Sequence, residues 1–295
     1  MKAILSINNV AKSYGPVKAL KGVSFDVPEG SVFGILGPNG SGKTTLLGTL
    51  LNVLQADGGS YEWFGGMQPD AARRQIGSLL ETPNFYHYLS AVDNLEIAAS
   101  IKQKGHDDKL RVLEKVNLLE RKDSKFQTYS LGMKQRLAIA SALLGQPKVL
   151  VFDEPTNGLD PAGIAEIREL IRQLNREGNT IIMASHLLDE VEKVCTHVAI
   201  LKKGDLLLQG PVDEVLRSED QIEIKAADMA ALQTAIEGMQ GIKQVRPVDG
   251  ALQLSADGQV NTQAVNEYCI GKGIVLSHLL LKKKSLETKF MELTN

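Results

Sequence analysis

Short, continuously apolar runs alternate along the chain with longer segments in which apolar residues recur at helical spacing. The runs at 31–36, 148–152 and 180–185 are each about a strand long. Uninterrupted apolar runs of this length are typical of parallel strands that are covered on both faces. Because they alternate with helical segments, the pattern predicts an α/β domain with a mostly parallel sheet.

The clearest helical segment follows the second of these runs. Asp160 is a good N-cap, Pro161 suits the first helical turn, and Gly178 suits the end. Its apolar stripe consists of Ile164, Ile167, Ile171 and Leu174. The spacing therefore predicts a helix that packs one face against the sheet.

The pattern changes twice along the chain. From about 85 to 144 it becomes largely helical, which predicts a helical subdomain inserted into the α/β domain. After Ser218 the order is strand, helix, two strands with a turn at Asp249-Gly250, helix and strand, with a closing helix at 285–293. We therefore predict an α/β domain at 1–218 and a small ferredoxin-like α+β appendage at 219–295.

The first candidate chemistry lies between the strand at 31–36 and an apolar helix. Gly37, Gly42, Lys43 and Thr44 fit the spacing of a phosphate-binding loop, the P-loop of NTPases. Glycines let the loop turn its N–H groups into one concavity, and the following helix adds its positive N-terminus. Lys43 is expected on the β- and γ-phosphates and Thr44 on Mg²⁺. The predicted binding residues are Gly37, Pro38, Asn39, Gly40, Ser41, Gly42, Lys43, Thr44 and Thr45.

Two adjacent carboxylates, Asp153 and Glu154, end the apolar run at 148–152. Ligands of open α/β sheets bind at the carboxyl ends of the strands, so these side chains are expected beside the phosphates. Asp153 is predicted to hold Mg²⁺, and Glu154 to orient or deprotonate the attacking water.

The composition of the chain limits its possible partners, metal sites and membrane spans. The net charge of −2 argues against a nucleic-acid partner held by bulk electrostatics. Cys195 and Cys269 are isolated, and the five histidines form no ligand spacing. No apolar run approaches the roughly 18 residues of a membrane span. We therefore expect a cytoplasmic protein that reaches a membrane only through another chain.

With the segment "YSLGMKQRLAIASALL" added, the chain resembles the ATP-binding subunits of ABC transporters from about Ile4 to Ser218. Six motifs occur in the family's order. They are the adenine-stacking aromatic Tyr14, the Walker A loop Gly37–Thr44, the signature residues Ser130 and Gly132, the Walker B strand Val149–Glu154, the D-loop Gly158–Pro161, and the switch histidine His186.

The resemblance implies a mechanism. Two copies would dimerise head to tail around two ATP molecules, each held by the Walker A loop of one copy and the signature motif of the other. Ser130 and Gly132 would face the γ-phosphate across the dimer, His186 would hydrogen-bond to it, and Asp160 would bridge the copies. Hydrolysis would loosen the dimer and drive separately encoded membrane subunits, the permease. The homodimer would thus sit on the inner face of the cell membrane.

Two motifs depart from the common family pattern. The signature is Tyr129-Ser130-Leu131-Gly132-Met133, where Leu-Ser-Gly-Gly-Gln is usual. Glu81 stands where the family usually has glutamine, and it is expected to share the Mg²⁺ site. Both departures, together with the C-terminal appendage, resemble the branch that exports peptide antibiotics such as bacitracin and lantibiotics.

Two other functions were weighed. A soluble ABC ATPase acting on nucleic acid or ribosomes is disfavoured by the net charge of −2 and by a single nucleotide-binding motif set. A non-catalytic, nucleotide-gated scaffold is disfavoured because Lys43, Asp153, Glu154 and His186 are all present. The sequence thus favours a transporter ATPase that uses ATP and Mg²⁺ and is an exporter.

Overall fold

The computed structural model of the chain describes residues 2–80, 83–217, 221–256 and 260–282. It divides the chain into two compact units, Met1–Gly210 and Pro211–Asn295. The division falls eight residues before the predicted boundary at 218.

The described part of the first unit contains nine strands. They are β1 (Ala3–Tyr14), β2 (Val17–Pro28), β3 (Val32–Leu36), β4 (Gly58–Trp63), β5 (Ile76–Leu79), β6 (Val149–Asp153), β7 (Thr180–Ser185), β8 (His197–Lys202) and β9 (Asp205–Pro211).

Within the described residues, seven α-helices lie among these strands, and an eighth, which follows them, belongs to the second unit. They are α1 (Lys43–Leu50), α2 (Pro69–Arg73), α3 (Ala91–Lys102), α4 (Lys109–Lys115), α5 (Leu131–Leu143), α6 (Pro161–Arg176), α7 (Leu188–Val194) and α8 (Val212–Arg217). Helices α3, α4 and α5 occupy the stretch predicted to be a helical subdomain.

The principal sheet has six strands in the order β5-β6-β7-β3-β8-β9. Strand β3 pairs in parallel with β7 and with β8, and β6 pairs in parallel with β5 and β7. Strands β3, β6 and β7 are buried along their whole length. The mostly parallel α/β sheet predicted from the apolar runs is therefore confirmed.

A second sheet, which the sequence pattern did not separate from the first, has the order β2-β1-β4 and is antiparallel. Leu46, Leu47 and Leu50 of α1 are buried in a cluster that contains apolar residues of both sheets. Phe25 of β2 stacks on Phe33 of β3, with ring centroids 5.2 Å apart. The helix that follows the phosphate loop is thereby fixed in the core.

The second unit contains β10 (Gln221–Ala226), α9 (Met229–Glu237), β11 (Ile242–Val248), β12 (Ala251–Ala256), α10 (Thr262–Gly271) and β13 (Leu276–Lys282). Its antiparallel sheet has the order β11-β12-β10-β13, so the first and third strands of the unit are central. The predicted βαββαβ order is confirmed, and the unit has its own apolar cluster.

The predicted hairpin turn at Asp249-Gly250 lies between β11 and β12. Both residues have positive φ, 48° and 72°, as a two-residue type I′ turn requires. The closing helix predicted at 285–293 lies outside the described residues. Among the described residues, no helix has the length and apolar character needed to span a bilayer.

We expect the two apolar cores to unfold as separate units. Leu254 of β12 is fully buried, so Leu254→Ala should destabilise the second unit by about 2–5 kcal/mol. Trp63 is the only tryptophan and lies in the first core, so its fluorescence reports on the first unit alone. Denaturant unfolding should show an earlier transition by circular dichroism with an unchanged Trp63 transition.

The matched control is Leu280→Ala on β13 of the same sheet, where Leu280 is 48% exposed. It should cost about 0.5 kcal/mol or less. A Trp63 transition that moves together with the circular dichroism in Leu254→Ala would show that the two units unfold as one.

Candidate nucleotide-binding and hydrolysis site

Three neighbouring parallel strands deliver the predicted site residues to one edge of the principal sheet. β3 leads into the phosphate loop at Gly37, β6 ends at Asp153, and β7 leads to His186. The register pairs Leu36 with Ser185, and Asp153 with Ala184. Since parallel strands all end on the same side, residues from three distant parts of the chain meet there.

The glycines of the phosphate loop serve two different needs. Gly40 and Gly42 have φ of 77° and 106°, a conformation that other residues rarely adopt. Gly37 does not have positive φ, but a Cβ there would lie 2.4 Å from the Leu201 carbonyl oxygen. The loop is thus shaped by backbone conformation at two glycines and by close packing at the third.

Lys43 starts α1 and is only 6% exposed. Its Nζ donates to the carbonyl oxygen of Gly37 at 2.7 Å, and it lies 3.7 Å from Oε1 of Glu154. The ammonium is therefore held at the centre of the loop, where it can reach a phosphate group.

Glu154 has φ of 49°, unusual for a residue with a side chain. Its N–H donates to the carbonyl oxygen of Ala184 at 3.0 Å, which fixes the turn after β6. The Nδ1–H of His186 donates to Oε2 of Glu154 at 2.8 Å. A strained backbone thus aims the carboxylate at both Lys43 and His186, a direct contact that sequence reasoning did not foresee.

Asp153 is 3% exposed at the end of β6, and Thr44 is exposed in the first turn of α1. The described residues contain no group of three or more Asp, Glu, His or Cys side chains that could hold a metal. A carboxylate and a hydroxyl suit Mg²⁺ that is completed by phosphate oxygens and water, because Mg²⁺ commonly binds this way. The donor set therefore fits a metal that arrives with a nucleotide.

The signature residues lie at the start of a helix. Ser130 caps α5, and its Oγ accepts a hydrogen bond from the N–H of Met133 at 3.3 Å. Asp160 caps α6 in the same way, accepting from the N–H of Gly163 at 2.9 Å. Both caps border one surface cavity of about 330 Å³, whose described lining includes no residue of the phosphate loop.

Two further residues, Tyr14 and Glu81, were predicted to belong to the site. Tyr14 is 48% exposed at the end of β1, with the Nζ of Lys12 5.8 Å from its ring centroid. Its role as an adenine platform stays a prediction. Glu81 lies outside the described residues, so its place near Mg²⁺ also stays a prediction.

Sequence reasoning missed two side chains that shape the site. Ser185 is fully buried, and its Oγ accepts from the N–H of Leu187 at 3.0 Å, which orients the loop that carries His186. Thr156 is 3% exposed, with an Oγ1 that finds no hydrogen-bond partner in the described part of the chain. A hydroxyl at the end of an apolar run was the only sequence signal for Ser185.

Comparison with known proteins places this geometry in a family. Residues 20–157 match the ABC transporter family. An uncharacterised ABC transporter ATP-binding protein of Bacillus subtilis, YdbJ, is 37% identical over 99% of this chain and 95% of its own. The chain belongs to the ATP-binding subunits of ABC transporters. It is thus an ATPase subunit, which confirms the predicted family, fold class and ATP-dependent activity.

The bacitracin transport ATP-binding protein BcrA of Bacillus licheniformis is 36% identical over 99% of this chain and 98% of its own. The resemblance to the peptide-antibiotic branch is thereby confirmed. Since the match runs almost end to end, it includes the C-terminal unit.

Among solved structures, a dimeric ATP-binding cassette in a post-hydrolysis state with ADP and phosphate is similar to this subunit. Its TM-score is 0.62 at 27% identity, covering 70% of this chain and 98% of the other. The ABC ATPase core of this subunit therefore has the fold of a cassette that was solved as a dimer.

Glu154→Gln should slow ATP hydrolysis about 10²–10⁴-fold, the usual contribution of a general base. Nucleotide binding should persist, because glutamine keeps the length of the side chain and leaves Lys43 in place. Single-turnover hydrolysis and ATP binding by the same protein measure the two effects.

Glu169→Gln is the control, since Glu169 lies on the surface of α6 and pairs with Arg176. It should hydrolyse ATP at the parent rate. If Glu154→Gln also turned over like the parent, Glu154 would have no part in activating water.

Proposed function

We propose that this chain is the ATPase subunit of an exporter of peptide-antibiotic type, working as a homodimer on separately encoded permease subunits with Mg²⁺ and ATP. The dimer would be held at the inner face of the cell membrane by the permease. The observation that carries the proposal is the division of the ATP-contacting motifs between two surfaces of one chain.

Each surface supplies half of an ATP site. Lys43 and His186 both contact Glu154 at the sheet edge. Ser130 and Asp160 border a separate cavity. If the motifs act on the same nucleotide, the second surface has to come from another copy of the chain, which supports a head-to-tail dimer.

Gly132 supports the same arrangement. A Cβ at this residue would meet nothing within 4 Å among the described atoms, so packing inside the chain does not require glycine there. The absence of a side chain instead leaves the start of α5 open to a phosphate group. Leu131 beside it is 48% exposed, as expected of a residue covered only on dimerisation.

A groove between β5 and the helical subdomain suits a permease segment. Its volume is about 560 Å³, within the size range of binding clefts. Ile101 is 79% exposed and Tyr86 51% exposed, so apolar side chains face outward here. The lining is formed by Ser78, Leu79, Leu80, Pro83, Asn84, Phe85, Tyr86, Asn94, Ile97, Ala98, Ile101, Ala138 and Ser141.

Asn94 holds the aromatic wall of this groove in place. It is 2% exposed, its Oδ1 accepts from the N–H of Tyr86 at 2.8 Å, and its Nδ2 donates to the Ser90 carbonyl at 2.9 Å. A buried amide with both ends satisfied fixes the loop ahead of α3. The loop that follows Glu81 is thus preformed for contact with the permease.

In the hydrolysis step, Lys43 would neutralise charge on the β- and γ-phosphates, and Thr44 and Asp153 would hold Mg²⁺. Mg²⁺ would supply charge neutralisation at the phosphates. Glu154 would accept a hydrogen bond or a proton from water aligned with the γ-phosphate.

The contact between His186 and Glu154 constrains how His186 can reach a phosphate. A neutral imidazole has one N–H, and here Nδ1–H donates to the carboxylate. Nε2 is then an acceptor, so it can donate to a phosphate oxygen only in the imidazolium form. Alternatively, the ring releases Glu154, which frees the carboxylate for water as the phosphate binds.

Ser130→Ala should weaken ATP-driven dimerisation while leaving ATP affinity of the monomer nearly unchanged. The hydroxyl would contact only the nucleotide of the partner copy, and the lost cap costs about 1 kcal/mol of stability. Sedimentation in the Glu154→Gln background, with and without ATP, measures dimerisation.

Asn261→Ala is the matched control, because Asn261 caps α10 by the same contact, accepting from the N–H of Ala264 at 2.8 Å. It should lose similar stability with no effect on dimerisation. Equal losses of monomer ATP affinity and of dimerisation in Ser130→Ala would mean that Ser130 acts within its own chain.

Ile101→Gln tests the groove. Loss of one buried apolar side chain, about 1.5–3 kcal/mol, should weaken permease capture about tenfold or more. The measurement is copurification of the chain from membranes with its permease, identified by mass spectrometry. Val275→Gln is the control, since Val275 is 81% exposed on the second unit. Parent-like capture by Ile101→Gln would remove the groove from the permease interface.

A further inference from the structure

Next to the permease groove lies a second surface cavity, of about 480 Å³, which shares Ile101 with it. Four of its lining residues are cationic and one is acidic. The lining is Asp70, Arg73, Arg74, Ile76, Ile101, Lys102, Gln103, Lys104, Leu144 and Pro147. None of these residues belongs to the predicted ATP site.

The positive charge in this cavity is only partly compensated. Arg73 pairs with Asp70, the only acid in the lining. Within the described ranges, Arg74 and Lys104 make no side-chain hydrogen bond or ion pair, and both are exposed. Two cationic side chains from separate elements are thus left facing one concave surface.

Lys102 raises the positive potential further. Although the residue is exposed overall, its Nζ donates to the carbonyl oxygens of Ser141 at 2.6 Å and Ala142 at 3.3 Å near the end of α5. Burial and the nearby Lys104 ammonium lower the pKa of Lys102 to about 8. The Lys102 and Lys104 ammonium groups therefore repel each other, and a bound anion would offset this repulsion.

In a neighbouring cavity, most of the positive charge is paired with acidic side chains. It lies on the other side of Pro147 and also contains Arg111 and Lys115. There Arg111 pairs with Asp108, and Lys115 pairs with Glu177. A third cation of that cavity, Lys148, makes no side-chain hydrogen bond or ion pair within the described residues, so two of its three cations are compensated. In the cavity of Arg74 and Lys104, Asp70 compensates Arg73 alone, which leaves more positive charge for an external anion.

We infer that the cavity formed by Arg74, Lys102 and Lys104 binds a phosphate monoester, at a site separate from the ATP site. A phosphate monoester carries between one and two negative charges at neutral pH and several acceptor oxygens. The guanidinium of Arg74 matches two of these oxygens at once, and the ammonium groups add point charges. The ester could be the headgroup of an anionic lipid or a free small molecule.

The test uses the full chain saturated with Mg²⁺ and ADP, so that the nucleotide site is filled. One arm measures cosedimentation with phosphatidylcholine vesicles with and without phosphatidic acid. The other measures calorimetric binding of glycerol 3-phosphate. Arg74→Gln combined with Lys104→Gln should weaken binding about tenfold, because two of the cationic groups that would hold the ester are removed.

The matched control is Lys243→Gln combined with Arg246→Gln, one lysine and one arginine exposed on β11. It removes the same charge and should bind like the parent. Arg74→Lys with Lys104→Arg should retain binding, and both Gln variants should keep the parent ATPase rate and thermal stability.

If Arg74→Gln with Lys104→Gln weakens binding to the vesicles with phosphatidic acid, the site takes a lipid headgroup. If it weakens only the binding of glycerol 3-phosphate, the site takes a free ester. The inference would be overturned if the control, Lys243→Gln with Arg246→Gln, lost as much binding as the test variant. It would also be overturned if the parent bound neither the vesicles nor glycerol 3-phosphate. Neither result bears on the homodimer or on the permease groove, which have their own tests.

Discussion

The parallel pairing of β6, β7 and β3 is the constraint on which the rest of this structure depends. It aligns three strand ends, so that the phosphate loop, Glu154 and His186 open at one edge although they are far apart in the chain. Because these strands are buried on both faces, sliding one by a residue would displace both its core side chains and its site residue. The stability of the sheet and the geometry of the site therefore require the same strand register.

Electrostatics at this edge follow from the same alignment. Lys43 is almost fully buried, and a buried ammonium needs partners. It finds them in the Gly37 carbonyl oxygen and, at 3.7 Å, in Glu154. Movement of Lys43 away from Glu154 would leave the carboxylate without this cationic neighbour, so the positions of the two side chains are coupled.

The helical subdomain and the C-terminal unit are built differently from the α/β core. The helical subdomain keeps concave, partly apolar or charged surfaces beside Ile101, whereas the C-terminal unit closes its own core between a four-stranded sheet and two helices. An ATPase subunit of a transporter needs exposed surfaces for contact with its partners, and the surfaces of the helical subdomain are of this kind. The second unit thus has an apolar core of its own.

Much of the fold and the site was determined by the sequence alone. The phosphate-loop spacing, the apolar run before Asp153, the caps Ser130 and Asp160, and the Asp249-Gly250 turn are local features, and local propensity decides them. The separate antiparallel sheet, the Glu154–His186 contact and the cationic cavity near Lys104 depend on residues distant in the chain. Only tertiary packing could decide those, because no short window of sequence records which strands become neighbours.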